Sequence, residues 1–358
     1  MRDSKSYRFN QENTTPDFFG NASTTGKVND KTSYLSYQNQ LFLDFNSKYV
    51  LGRFRAKTTL STYNYGYDNL QNNTVGITKN KLKGDAVSFG ADWKGKLSNF
   101  YVNASATITP GSGRLSGNNF NGELLYKKDS IFTVKGKFGV SNKYPNFNFL
   151  LHQSTYDAYN WENNYAQTST RNLSGSILSK WGNATVNITN IDKYTYFDEN
   201  NKPQQFGDEV NYLKVKVSKE FKLGKFALDN TVMYQKVANG SDVFRVPEFV
   251  TRNTFYYTDE WFKGKPLLVQ IGATFKYFTK YKANAYNPLL SEFSLQNDTE
   301  IGYPTVDVFF NARVRRTRIY FKADNLSSFV LDKNYFSAPN YPYRDFVIRF
   351  GVVWNWFI

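Results

Sequence analysis

Phe100-Tyr101-Val102-Asn103-Ala104-Ser105-Ala106-Thr107-Ile108-Thr109-Pro110 (FYVNASATITP) decides the fold by its alternation. Phe100, Val102, Ala104, Ala106 and Ile108 fall on one face; Tyr101, Asn103, Ser105, Thr107 and Thr109 fall on the other. Period two over this length is the mark of a strand with one apolar and one wet face. The pattern recurs outward in both directions. Val87, Phe89, Ala91 and Trp93 alternate with Ser88, Gly90, Asp92 and Lys94, and Phe132, Val134, Phe138 and Val140 interleave with Thr133, Lys135 and Lys137. Leu213, Val215 and Val217 alternate with Lys214, Lys216 and Ser218. Val306, Val308, Phe310, Ala312 and Val314 alternate with Asp307, Asn311, Arg313 and Arg315.

Composition agrees. Aromatics make up 18% of the 358 residues, and aromatic side chains fit a pleated surface. Cysteine is absent, which excludes a disulfide framework and thiolate metal sites. His152 is the single histidine, so imidazole metal sites and histidine catalysis have little to draw on, and neither a metal nor a cofactor is expected. The formal charge of +15 points to anionic partners. No run approaches the ~18 apolar residues of a membrane helix. The mean hydropathy of −0.58 is that of a soluble chain. It also suits a membrane barrel, where half of each strand faces water. Met1-Arg2-Asp3-Ser4-Lys5 is not a signal peptide, having no apolar stretch behind its charges. The expectation is one domain over 1–358, a mature chain or a fragment, its N-terminal part incomplete.

The connections fix the architecture. Tight links are expected at Ser47-Lys48-Tyr49, Gly95-Lys96, Lys128-Asp129-Ser130, Trp181-Gly182-Asn183, Leu223-Gly224, Lys263-Gly264-Lys265 and around Arg316. Longer polar stretches lie between them, near 11–32, 65–83, 110–118, 144–167, 197–208, 239–248, 280–303 and 327–342. Long loops count against a compact soluble domain. Alternating short turns and long loops belong to an outer-membrane barrel. Fifteen connections make about sixteen strands, if Ser4–Asn10 is the first. The fold class expected is therefore all-β, a transmembrane antiparallel barrel. Trp93, Trp181, Trp261, Trp354 and Trp356 all fall on the short-turn rim, as an interfacial aromatic belt would. Only Trp161 lies in a long loop.

The terminal stretch Arg349-Phe350-Gly351-Val352-Val353-Trp354-Asn355-Trp356 resembles the C-terminal signal of outer-membrane barrels. That resemblance implies that the barrel assembly machinery reads Gly351, Trp354 and Trp356. It departs from the pattern in the trailing Phe357-Ile358, where an aromatic last residue is usual. Tyr303-Pro304-Thr305-Val306-Asp307-Val308-Phe309, Lys333 to Pro342, and Asp17-Phe18-Phe19-Gly20-Asn21 with Asp30-Lys31-Thr32 are similar to the "putative porin" family of bacterial outer membranes. Phe321 to Trp356 also resembles the last strands of TonB-dependent receptors, although no plug domain is visible. A bacterial outer-membrane location follows from the resemblance.

If the Val, Leu and Phe face meets lipid, the other face lines a lumen. The lumen-lining basic set is then Arg53, Arg55, Lys57, Lys135, Lys137, Lys214, Lys216, Arg313 and Arg315, with Lys276 and Lys322. Acids on the same faces are fewer: Asp44, Asp92, Glu123, Asp229, Glu260 and Asp307. Sixteen strands enclose an aqueous channel, and rings of Arg and Lys favour anions. The competing reading pairs these cations with the acids and with lipopolysaccharide phosphates, and gives no selectivity. The expected function is a porin-like channel for passive diffusion of small, anion-leaning solutes. The alternative is a barrel subunit of a larger assembly for secretion, barrel insertion or TonB-dependent uptake, its lumen blocked. Expected partners are outer-membrane lipid and lipopolysaccharide, the assembly machinery, and other outer-membrane proteins or further copies of the chain. Nucleic acid is not expected, because the cations alternate with apolar residues instead of clustering on one surface. His152 in its loop reads as solvent-facing, not catalytic. The glycine run Gly111 to Gly117 reads as a loop tip, since no helix follows it. No catalytic residue is assigned.

Overall fold

The computed structural model describes residues 1–46, 52–67, 80–128, 131–331, 335–339 and 341–354. Sixteen strands form one antiparallel sheet, each paired with its sequence neighbour. The first six are β1 (Arg2–Gln11), β2 (Val28–Asn46), β3 (Arg53–Tyr67), β4 (Lys81–Leu97), β5 (Phe100–Thr109) and β6 (Gly117–Lys128). The next five are β7 (Phe132–Lys143), β8 (Thr168–Ser179), β9 (Gly182–Asp192), β10 (Glu209–Leu223) and β11 (Phe226–Asn239). The last five are β12 (Phe249–Trp261), β13 (Leu267–Phe278), β14 (Thr305–Val314), β15 (Thr317–Asp324) and β16 (Val347–Trp354).

Register assigns the faces, because residues directly opposite in a ladder point to the same side. Asp44 faces Arg55, Arg55 faces Asp92, and Asp92 faces Ser105. The same row reaches Tyr63, Tyr65 and Tyr67 by steps of two, and these three are buried by loop residues inside the sheet's curve. That side is the lumen. The other side carries Leu60, Phe89, Ile108, Leu173, Val217, Phe255 and Ile319, large apolar side chains left exposed. An apolar band this extensive has no place in water; it is the wall a bilayer covers.

Most tight turns fall where the sequence puts them. Gly224 (φ +59) and Gly264 (φ +81) hold left-handed positions between β10 and β11 and between β12 and β13. The expected turn at Gly95-Lys96 is corrected. Gly95 and Lys96 pair with Val102 and Tyr101 inside the ladder, and the turn is Ser98-Asn99, with Ser98 at φ +52. A strand interior tolerates a glycine, and the two-residue loop sets the register. The turn at Ser47-Lys48-Tyr49, residues Asp129 and Ser130, and Trp356 lie outside the described residues.

The last residues of the terminal strand, 355–358, lie outside the described residues. β1 and β16 are the two ends of the ladder, and among the described residues no pairing joins them. β1 pairs only with the long-loop half of β2, from Arg2↔Tyr37 to Gln11↔Val28. Its outward residues, Arg2, Ser4, Ser6, Arg8 and Asn10, are polar, so this strand cannot run along the apolar band as a direct closing strand would.

Candidate functional site

The lumen-facing cations come in two kinds. Arg53 and Arg55 both bind Asp44, and Lys57 binds Asp92 at 2.7 Å. Lys135 and Lys137 share Glu123 at 2.9 and 3.2 Å. Lys276 and Lys322 share Asp307, which is only 2% exposed and also accepts from the Asn325 backbone at 3.0 Å. Asn325 manages this by taking a left-handed conformation, φ +55, a region that Asn enters more readily than most residues. Lys214, Lys216 and Arg313 form no ion pair among the described residues, nor does Arg318 directly across from Arg313. Arg315 is not on a lumen face; it forms the β14–β15 turn at φ +50. Thus five of the nine cations singled out in the sequence share three carboxylates, and of the rest Lys214 and Lys216 lie on β10 and Arg313 on β14, with Arg318 beside it on β15.

The larger surprise is the mouth. The long loops between β1 and β2, β7 and β8, β9 and β10, and β13 and β14 fold together into a cap with its own core. Phe9, Phe19, Val28, Phe149, Tyr156, Tyr159, Trp161, Phe197, Leu289 and Leu290 form that core. Phe149 stacks on Phe197 with ring centroids 4.5 Å apart. A four-stranded sheet ties two of the loops, in the order Pro203–Gln205, Thr195–Phe197, Glu292–Ser294, Ala285–Asn287. The loop 144–167 enters the barrel. Its helical turn Phe147–Leu150 sets Phe147 against Tyr63 and Tyr65, at 5.0 and 5.3 Å, and Leu150 and Leu151 cover Tyr65, Tyr67 and Leu82.

Polar groups lock that loop to the wall. The Asp30 carboxylate on β2 accepts from Ser154 Oγ at 2.5 Å, Thr155 Oγ1 at 2.6 Å and the Thr155 amide at 3.0 Å. Tyr156 donates to Gln11 at 2.5 Å and accepts from the Thr15 amide at 2.9 Å. His152 is buried, not solvent-facing. It lies flat on Trp161 at 4.7 Å, meets Tyr67 edge-on, and sits 2.7 Å from the Tyr159 carbonyl through Nδ1. Burial pushes its pKa down to about 4, against smaller opposing effects of the Tyr159 hydrogen bond and the Asp30 charge. A neutral histidine packed this way is a piece of the cap core.

A cavity of about 570 Å³ lies between the cap and the inner faces of β1, β2 and β3. Tyr7, Tyr34, Tyr65, Tyr67, Tyr144 and Phe147 line it, with Lys5, Arg114, Lys143, Asn148 and Glu292. Its size falls in the ~300–1,000 Å³ range of small-molecule sites. Among the described residues no group of His, Cys, Asp and Glu is arranged to hold a metal ion.

A family model described as "Putative porin" matches residues 1–357. The chain belongs to that family. No curated protein sequence matches it. Solved structures of similar fold are outer-membrane receptors. The siderophore receptor PirA from Acinetobacter baumannii has a TM-score of 0.64 at 11% identity, over 98% of this chain and 58% of that one. The ferric enterobactin receptor PfeA from Pseudomonas aeruginosa gives 0.67 at 10% identity, over 98% and 58%. The FrpB iron transporter from Neisseria meningitidis gives 0.60 at 10%, over 91% and 56%. This porin-family chain therefore spans between half and two thirds of the length of the receptors it resembles. The likeness establishes the fold, and family and fold together place the chain in the bacterial outer membrane.

Within this porin-family barrel, Trp93, Trp181, Trp261 and Trp354 stand at the short-turn end. Trp93 and Trp354 lie on the outward face: Trp93 opposes Phe54, and Trp354 opposes Thr317. Gly351 faces the lumen, and a Cβ there would stand 2.5 Å from the Tyr320 hydroxyl, so the Tyr320 ring lies across the bare backbone. Sequence reasoning missed the cap. Its signal was present in the aromatics of the loop stretches, Phe149, Tyr156, Tyr159, Trp161 and Phe197, which solvent-exposed loops do not need.

Proposed function

We infer that the protein is an outer-membrane channel for uptake of small solutes whose mouth is closed by its own loops, so that solute passes only when the cap yields. One observation carries this reading: the loops between β7 and β8 and between β13 and β14 pack as a buried core on lumen-facing side chains. An unplugged diffusion pore has water, not Leu150 and Leu151, against its inner wall. Below the cap the unpaired Lys214, Lys216, Arg313 and Arg318 bias the lumen toward anions by Coulomb attraction. Asp44, Asp92 and Glu123 offset part of the remaining basic charge.

A receptor-like uptake role is the second reading, supported by the capped mouth and by the likeness in fold to siderophore and ferric enterobactin receptors. Planar-bilayer recording tests the first. Wild-type protein is expected to conduct rarely and in brief openings. Asp30→Ala, which unties Ser154 and Thr155, is expected to conduct steadily. A large steady conductance from wild type would overturn the capped-channel reading.

A further inference from the structure

The cavity beside the cap has a lining that narrows what it can hold. Tyrosine dominates it, and a tyrosine presents an apolar ring together with a hydroxyl. Tyr34 and Tyr144 offer such surfaces from β2 and from the loop after β7. Polar side chains stand beside them. Asn148 Nδ2 binds Glu292 at 2.6 Å, while Asn148 Oδ1 is buried and has no hydrogen-bond partner. Burial also holds the Glu292 carboxyl above its usual range, despite that hydrogen bond. Asn148 and Glu292 thus stand in the cavity wall as polar groups that a hydroxylated ligand can meet.

Charge then selects among ligands. Arg114 lies 5.3 Å over the Tyr144 ring with a single hydrogen bond to Asn164, and Lys143 has no ion pair among the described residues. Both cations line the same cavity as the Glu292 carboxyl, whose charge burial disfavours. A flat aromatic acid would use the rings and the cations but leave Asn148 and Glu292 unmatched. A neutral sugar would use the rings and the amide but leave the cations idle. A polyhydroxylated ring bearing carboxylates uses all of them.

We propose that the cavity lined by Tyr34, Tyr144, Asn148, Glu292, Arg114 and Lys143 binds a short acidic saccharide. This rests on the reading of the protein as a capped uptake channel, the cavity being where solute waits under the cap. Titration calorimetry on the full chain in detergent, with trigalacturonate, maltotriose and benzoate as probes, tests it. Trigalacturonate is expected to bind at least tenfold more tightly than either of the others. Arg114→Gln with Lys143→Gln should bring it down to the maltotriose level while maltotriose binding is unchanged, which also shows that the pocket remains folded. Tyr144→Ala should weaken both saccharides. No heat with trigalacturonate, equal affinity for maltotriose or benzoate, or indifference to the two charge removals would each overturn the proposal. Bilayer recording separates the two levels. A quiet channel without trigalacturonate binding sinks the site alone, and a steadily open channel that still binds it sinks the cap alone.

Discussion

His152 shows how one residue can tie the cap to pH. Its folded pKa of about 4 lies below the ordinary value near 6.5, so the folded cap holds it neutral while the opened loop can protonate. Between those values the open form binds more protons, and stability of the closed cap falls as pH drops. Asp30 opposes the shift and Lys202 reinforces it, while Tyr67, Tyr159 and Trp161 supply the burial. Bilayer openings are therefore expected to become more frequent as pH is lowered from 6.5 toward 4, and His152→Gln should flatten that dependence. A pH-independent wild type would contradict the assignment. Asp30 acts at the same scale. Its hydrogen bonds to Ser154 and Thr155 involve a charged acceptor, each worth about 1.5–3 kcal/mol, so Asp30→Ala should make loop 144–167 a preferred site of limited proteolysis. Neither role was visible in the sequence, where His152 is a lone loop histidine. What made it structural was the arrival of Trp161 and Tyr67 from elsewhere in the chain.

At the level of elements, strands are legible because each carries its own face assignment. Phe100–Thr109 appears with its bounds intact, and Asp44, Arg55, Asp92 and Ser105 all lie on the polar face that alternation assigns them. Turns are less legible: Gly95 looked like a turn and is a strand residue, because register is set by the pairing of two strands and not by one glycine. Glycine has another use in these strands. Gly272 lies between Tyr256 and Phe309 on the lumen face, where a Cβ would come within 2.6 Å of both side chains, and Gly351 lies under Tyr320 in the same way. Aromatic side chains lying over strand glycines pin register in curved sheets. Gly351→Val should accordingly lower the yield of folded barrel, read by the heat-dependent gel shift of folded protein. Tyr320→Ala in the same chain should restore part of that yield. If the double variant folds no better than Gly351→Val, the contact is not what the glycine provides.

For the molecule as a whole, charge and sheet edges set behaviour that no single strand reveals. The basic excess suggested a basic lumen, but pairing depends on which strands become neighbours, and Asp44, Asp92, Glu123 and Asp307 sit where each offsets one or two of its cations. Removing a matched pair, Lys57→Gln with Asp92→Asn, should therefore leave the reversal potential in a salt gradient unmoved. Lys214→Gln with Lys216→Gln should shift it toward zero, more so at low salt, where screening is weaker. The seam carries the last consequence. A count of sixteen strands does not say how far each strand runs along its neighbour. β1 covers β2 only from Tyr37 to Val28, and β16 is exposed on both faces, with Phe350 at 81%. A strand bonded on one side opens more easily than one bonded on both. Hydrogen exchange on the protein in lipid nanodiscs should then show Val347–Trp354 exchanging faster than Phe89–Lys94 of β4, which is flanked by β3 and β5 along that stretch. Equal protection of the two would mean that β16 has a partner along its free edge in the membrane, and the unpaired seam would not describe the protein there.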